Sequence, residues 1–397
     1  KGNPVIFTNG DNDTFPLWYN QETEGVRTDA RVCNLSYLQT DWYIDQMRRP
    51  AYDSPSLPIS WTRLQYVTGT REGIPVQPDA LQQVIDYYKD SPEDLKQMLG
   101  DNPYELKNII RHWVLNDNPD LQIFPTDSIV VTVDKEAVKR SGMMIAADSI
   151  PDVMHISLKG KRAIYKSEMM MLEMISQANW ERPLYMSTTV GPDNYGHLGD
   201  NFVQEGLACR ITPFDTKQSG RTIDSERMYN NMMNKFKYGG LKENPDIYLD
   251  ETVIRMCYTH RRLFNQLAQQ LLKEGQKDKA LKVLQRAEEE IPGSIVPHEA
   301  FYGHSLELAD AWLALGHKAE AEKLLNAVGQ NAKEYIEWYL SLNTQRLLQS
   351  SRECLMQIYI LNDIAKTWEP IDKKKAETYR MEVNNYASRC HQRGMSL

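Results

Sequence analysis

One pattern in the C-terminal third constrains the fold more than any other: a run of small and large apolar residues that occurs twice. In "RRLFNQLAQQLLKEGQKDKALKVLQRAEEEIP", Leu267, Ala268, Leu271, Gly275, Ala280, Leu284, Ala287 and Pro292 stand where a repeated helix pair needs them. Small Ala residues let two antiparallel helices approach, Leu fills the space beside them, and Gly lets the chain turn between them. A second copy puts Leu308, Ala309, Trp312, Gly316, Ala321 and Leu325 at the same relative positions.

This spacing is that of the tetratricopeptide repeat. The two glycines lie 316 − 275 = 41 residues apart, against a usual period of about 34, so a longer connection is expected between the copies. Further helices are expected in "EYIEWYLSLNTQRLL" and "ECLMQIYILNDIAKTW", as a degenerate third pair or a cap. A stack of this kind presents a concave face that binds peptides, or it serves only as a prop within the chain.

Before these helices the pattern alternates. "PVIFTN" and "RVCNLSYL" are β-rich runs around the helix-like "FPLWYNQETEG", a βαβ unit that predicts parallel pairing. Further strands are expected at 128–134, 153–159, 183–189 and 207–213, with a helix in "YKSEMMMLEMISQAN" capped by Ser167. Its Met169, Met170, Met171 and Met174 recur at helical spacing and read as core rather than as ligands. The Pro-, Ser- and Gly-rich 49–78 stretch reads as surface loop, followed by polar helices in "DALQQVIDYYKD" and "SPEDLKQMLG". From about residue 216 to 250 the chain turns polar. The expected architecture is therefore an α/β domain over 1–215 with a parallel or mixed sheet and flanking helices, a linker over 216–250, and a tetratricopeptide-like helical domain over 251–397.

Composition enters where it excludes function classes. A net charge of −8 over 397 residues argues against a phosphate-neutralising surface, so nucleic acid is not an expected partner. No apolar run reaches the roughly 18 residues that cross a bilayer. The chain begins with Lys1 and a strand pattern starts by Val5, with no secretory leader between, as in a piece of a longer protein. Cys33, Cys209, Cys257, Cys354 and Cys390 are odd in number and contain no CxxC pair, so neither a zinc site nor a disulfide framework is expected and the five read as small buried hydrophobes.

Enzyme motifs are absent: no GxSxG, HExxH, P-loop or GxGxxG follows a strand, and the histidines are dispersed. The strand exits carry what polar chemistry there is. In "NGDNDTFPLWY", Asn9, Asp11, Asn12 and Asp13 stand beside Trp18 and Tyr19, at the carboxyl end of the first strand, where open sheets gather ligands. Asp11 and Asp13 suit hydroxyl groups or a divalent cation, although no cofactor or metal is expected in this segment, and the aromatics suit a sugar face. The bland alternative makes Asp13 or Thr14 an N-cap, with Pro16 in the first helical turn and Gly10 at the bend. The second exit repeats the theme with Asp41, Trp42 and Tyr43, and a third, after "PLYMSTT", offers Thr188, Thr189, Gly191, Asp193 and Asn194 to the same rim, or else forms an ordinary turn. In the helical region the expected packing positions are Leu267, Ala268, Gly275, Ala280, Pro292, Ala309, Gly316 and Ala321.

Taken in order, "FTNGDNDTFPLWYNQETEGVRTDARVCNLSYLQTDWYIDQM", "NWERPLYMSTTV", "NMMNKFKYGGL" and the repeat region resemble the soluble carboxyl-terminal region of bacterial multi-spanning membrane proteins of domain-of-unknown-function family 2723. That family has a metazoan relative that acts as a protein O-mannosyltransferase. The resemblance implies a transmembrane region outside this segment, of the type that uses polyprenyl-phosphate sugars for protein O-glycosylation, with the catalytic acid there. It places this segment on the periplasmic side of the inner membrane, inactive alone, assisting acceptor proteins or peptides to bind. The alternative is a non-catalytic interaction module that uses the helical repeats.

Overall fold

The computed structural model describes residues 2–144 and 150–395. It divides into two compact units, Lys1–Asp224 and Ser225–Leu397.

The first unit is built on a mixed five-stranded sheet. Its strands are β1 (Val5–Thr8), β2 (Arg31–Asn34), β7 (Leu184–Ser187), β8 (Phe202–Gln204) and β9 (Ala208–Ile211), in the order β2-β1-β7-β9-β8. β1 lies parallel between β2 and β7, with Phe7 opposite both Cys33 and Met186. β9 and β8 add on as antiparallel strands. Two antiparallel pairs stand apart from this sheet: β3 (Gly73–Pro75) with β6 (Ala163–Tyr165), and β4 (Ser128–Thr132) with β5 (Val153–Ser157). The parallel strands are short and almost wholly buried because both faces are covered, as a βαβ connection requires.

The helices that matter for the site are α1 (Asp11–Glu22), α2 (Asp41–Met47) and α3 (Lys166–Ala178). α3 supplies the centre of the core: Met169, Met170, Met171 and Met174 are each no more than 1% exposed. Its first residue is Lys166, so Ser167 is not the cap. Glu168 instead reaches back to the Tyr165 N–H, and Ser167 Oγ accepts from Gln39 Nε2 at 2.7 Å. The 49–78 stretch also departs from expectation. It carries Leu57, Ile59, Trp61, Tyr66 and Ile74 into the same core, so it is packed rather than draped over the surface. The two polar helices, Ala80–Tyr87 and Pro92–Leu99, pack around a satellite core of Leu81, Leu99, Trp113 and Ile123.

The second unit is helical in its regular structure. Its long helices are α4 (Glu251–Lys273), α5 (Lys277–Glu290), α6 (Ser305–Ala314), α7 (Lys318–Ser341), α8 (Ser351–Trp368) and α9 (Lys373–Gln392). α4 packs on α5, α6 on α7 and α8 on α9. Leu267, Ala268, Ala280, Ala309 and Ala321 are fully buried, while Pro292 is half-buried just beyond α5. Gly275 and Gly316 end α4 and α6 in the left-handed region, at φ 74° and 82°. "EYIEWYLS" is no separate helix: α7 continues through it to Ser341, because nothing between Lys318 and Tyr339 breaks the ladder. Within the 216–250 stretch Met228 and Met232 are buried, and helical turns run over 225–235.

Candidate functional site

β1 hands the chain to β2 on one side and has β7 on the other, so the connections leave in opposite directions between β1 and β7. In open α/β sheets that is the point where ligands gather, beyond the carboxyl ends of the strands. A hydrogen-bonded network fills this position. Asp13 Oδ2 accepts from the Asn9 N–H at 3.0 Å and from Thr189 Oγ1 at 2.9 Å, joining the loops after β1 and β7. Ser187 and Thr189 hydroxyls lie 2.7 Å apart. Asn34, at the end of β2, donates to Thr14 Oγ1 at 2.8 Å and to the Gly10 carbonyl at 3.2 Å, and its Oδ1 accepts from the Tyr37 N–H at 3.0 Å. Thr14 and Thr8 hydroxyls share a further contact of 2.8 Å.

The floor of this network is dry. Thr8, Thr14 and Asn34 are no more than 1% exposed, and Asp13 is 8% exposed. The mouth is wet: Asn9 is half-buried, Thr189 is exposed, and Ser36 Oγ donates to Asn9 Oδ1 at 2.6 Å. Asp11 and Asn12 are exposed on the first turn of α1.

The expected cap is corrected by this geometry. α1 starts at Asp11 with Gly10 as its N-cap at φ 87°, and Asp13, the third helical residue, turns back to the Asn9 N–H. Neither Asp13 nor Thr14 is the cap residue, and Pro16 falls at the sixth helical position instead of the first turn. A carboxylate in the first turn satisfies amide groups that the helix leaves unpaired and meets the positive end of its dipole. The same carboxylates make the mouth acidic. A helix start that already carries Asp11 and Asp13 repels a phosphate that such a position would otherwise attract.

An aromatic row borders the mouth. Phe15 stacks on Trp18 at 5.7 Å, Trp18 on Tyr37 at 6.3 Å, and Tyr37 meets both Trp42 and Tyr43. Phe15 and Trp42 are 45% and 49% exposed, which is unusual for residues of that size and leaves an apolar ledge in water. Tyr43 is the buried end of the row. Its hydroxyl accepts from the Asn34 N–H at 3.0 Å, and burial pushes its phenol well above the ordinary range. Tyr37 and Phe15 carry no signal in the strand and helix periodicity that would have marked them. Asn34 carries none either, whereas Thr189, expected at the third exit, does reach the network through Asp13.

Three expected residues lie off this mouth. Tyr19 is exposed and its hydroxyl turns to Glu24. Thr188 Oγ1 donates to the Leu207 carbonyl, along the β7–β9 edge. Asp41 faces the 63–68 segment, where the Thr68 N–H and, more distantly, Arg63 hold it below the usual carboxylate range. Asp13 spends its Oδ2 on two donors, and among the described residues no three His, Cys, Asp or Glu side chains converge as a metal site requires.

A broader concavity of ≈ 1350 Å³ opens between β5, the 192–201 loop and the 213–219 turn, with His155, His197 and four aspartates on its walls. Three of those acids are engaged: Asp152 with Lys135, Asp200 with Lys217, and Asp215 as cap for the Gln218 N–H. Burial lowers His197, and the nearby Lys161 ammonium lowers it further.

The family model described as TMEM260-associated domain 2 matches residues 1–231, more than half of the chain, and the chain belongs to that family. The match contains the whole strand-end network. No curated protein and no solved structure matches the chain. Among the described residues no helix is long and apolar enough to cross a membrane.

Proposed function

We propose that this member of the TMEM260-associated domain 2 family is the extracytoplasmic domain of a polytopic membrane glycosyltransferase of the protein O-glycosylation type. In this reading a transmembrane region of the same protein holds the polyprenyl-phosphate sugar and the catalytic acid, and the segment described here helps to bind the acceptor on the periplasmic side. Isolated, it catalyses nothing. The family match supports a glycosyltransferase context. The observation that carries the role is the Asp13–Thr189 contact at the switch point, which joins the exits of β1 and β7 into one mouth that Asn34 ties to the end of β2, beside an exposed aromatic ledge.

The chemistry of that mouth favours acceptor over donor. Its acidic helix start disfavours the anionic phosphate of a polyprenyl carrier, whereas Asn12, Asn9 and Thr189 offer neutral donors and acceptors, and Phe15 and Trp42 offer flat apolar contact. A peptide segment bearing Ser or Thr hydroxyls fits such a surface. Asp13 itself is too deeply bonded to be a clean probe, so the test uses the exposed residues. In membranes carrying the full-length protein, Asn12→Ala with Trp42→Ala should lower transfer of sugar into protein about tenfold, the loss expected for one aromatic contact and one hydrogen bond. Undiminished transfer with a normally folded variant sinks the acceptor role.

The second unit supports a different reading, an interaction module in which the α4–α5 and α6–α7 pairs act as tetratricopeptide-like repeats. Tyr335 and Trp338 on α7 are 49% and 55% exposed, a pair of large side chains offered to water by one helix. Under this reading Tyr335→Ala with Trp338→Ala abolishes a crosslinked complex in cells while sugar transfer stays intact.

A further inference from the structure

Four of the five cysteines are buried and Cys209 is half-buried, as small hydrophobes would be. Two of them are not scattered in space. Cys354 lies in the first turn of α8 and Cys390 near the end of α9, 36 residues on, and the return of α9 along α8 brings their sulfurs to 3.9 Å. Both residues are fully buried. We propose that Cys354 and Cys390 are a disulfide site that locks the last helix of the chain onto its neighbour.

The geometry asks for little movement. A disulfide needs its sulfurs at about 2.05 Å, so each must move inward by about 1 Å, which is within reach of a χ1 rotation on each side chain. The bond would close a loop across the open end of the α8–α9 pair, whose other end is already joined by the short connection over 369–372. At that open end α9 is otherwise held by Arg389 on Glu337 and by Arg393 on the Leu340 and Leu342 carbonyls. A cross-link there removes from the unfolded chain the freedom of the whole pair.

Closing it takes two electrons and two protons from the two thiols. A disulfide oxidant accepts them: one thiolate attacks its S–S bond and releases one thiol, and the second thiolate resolves the mixed disulfide and releases the other. Burial pushes the Cys354 thiol up to about 12 and also raises Cys390, so thiolate is scarce in the folded unit. The bond is therefore made while the chain folds.

The full chain, reduced in urea and refolded with glutathione disulfide and glutathione, tests the site. Alkylation under denaturing conditions followed by mass spectrometry should find one peptide joining Cys354 to Cys390 and three alkylated cysteines. The thermal midpoint should fall by at least about 5 °C on adding reductant, and C354S/C390S should lose that response. If refolding fails, the same oxidant applied to native chain in urea just below its unfolding transition gives the same readout. Five alkylated cysteines, or a bond to Cys33, Cys209 or Cys257 instead, would overturn the assignment. The pairing follows from the adjacency of two helices and not from a compartment. Thiol trapping in intact cells bears separately on the extracytoplasmic placement.

Discussion

At Lys166 burial and charge are set against each other. Its side chain is 1% exposed, and its ammonium meets a carboxylate, Glu72 Oε1 at 2.7 Å, that is itself 53% exposed. Glu72 is partly desolvated, which opposes ionisation, but Lys166 and the Gly69 N–H outweigh this and hold it below the ordinary carboxylate value. Because the folded value lies below the unfolded one, the contribution is complete above the unfolded value of about 4.3 and is lost as pH falls through the folded value. Glu72→Gln should therefore cost roughly 1–3 kcal/mol at pH 7, less than a fully buried pair because one side is wet. It should cost little at pH 3. Lys166→Met should be close to neutral, since it removes the charge with its need for a partner. Urea midpoints measured from pH 3 to pH 7 check both variants. If Glu72→Gln loses as much at pH 3 as at pH 7, the ion pair is not the cause.

At the scale of elements, the helix ends are set by a repeated device. After α4 the Gln276 N–H bonds the Leu271 carbonyl and the Gly275 N–H bonds Leu272; after α6 His317 and Gly316 do the same to Trp312 and Leu313. After α9, Met395 and Gly394 repeat it on Cys390 and His391, with Gly394 at φ 81°. Each is a Schellman close, which needs a left-handed residue, and only glycine takes that conformation freely. Gly275→Ala should destabilise the second unit by about 1 kcal/mol, although a Cβ there meets nothing within 4 Å. The denaturant midpoint checks it; an unchanged midpoint would mean that the turn relaxes. These glycines were legible in the sequence because the backbone itself demands them. The start of α1 was not. Asn9, Gly10, Asp11, Asn12, Asp13 and Thr14 all suit a helix start, and the position chosen depends on Thr189, which is 176 residues away in the chain and bonds Asp13.

For the whole molecule, the division at Asp224/Ser225 leaves each unit a core of its own. A 225–397 fragment should accordingly show helical circular dichroism and one cooperative thermal transition without residues 1–224. A fragment that lacks near-ultraviolet signal and melts without a transition would show that the second unit depends on the first. The strand-end mouth belongs to the first unit alone, so a 1–231 fragment should retain it.

The sequence by itself determined the order of element types, the mixed-sheet unit followed by a helical one, the methionine core of α3 and the glycine-closed helix pairs. These follow from periodicity and from backbone demands that act over a few residues. Beyond the parallel β1–β2 pair, only the tertiary structure decided which strands are neighbours and hence which loops meet. β4 and β5 read as strands like the others but pair apart from the main sheet, and the 49–78 stretch, still irregular for most of its length, is packed because Trp61 and Tyr66 enter the core. The same folding turned Asp41 toward the 63–68 segment and Asp13 toward Thr189, and set Cys354 against Cys390. Contacts of that kind join residues far apart in the chain, where no local pattern records the partner. Their energy exists only once the chain has closed the loops between them.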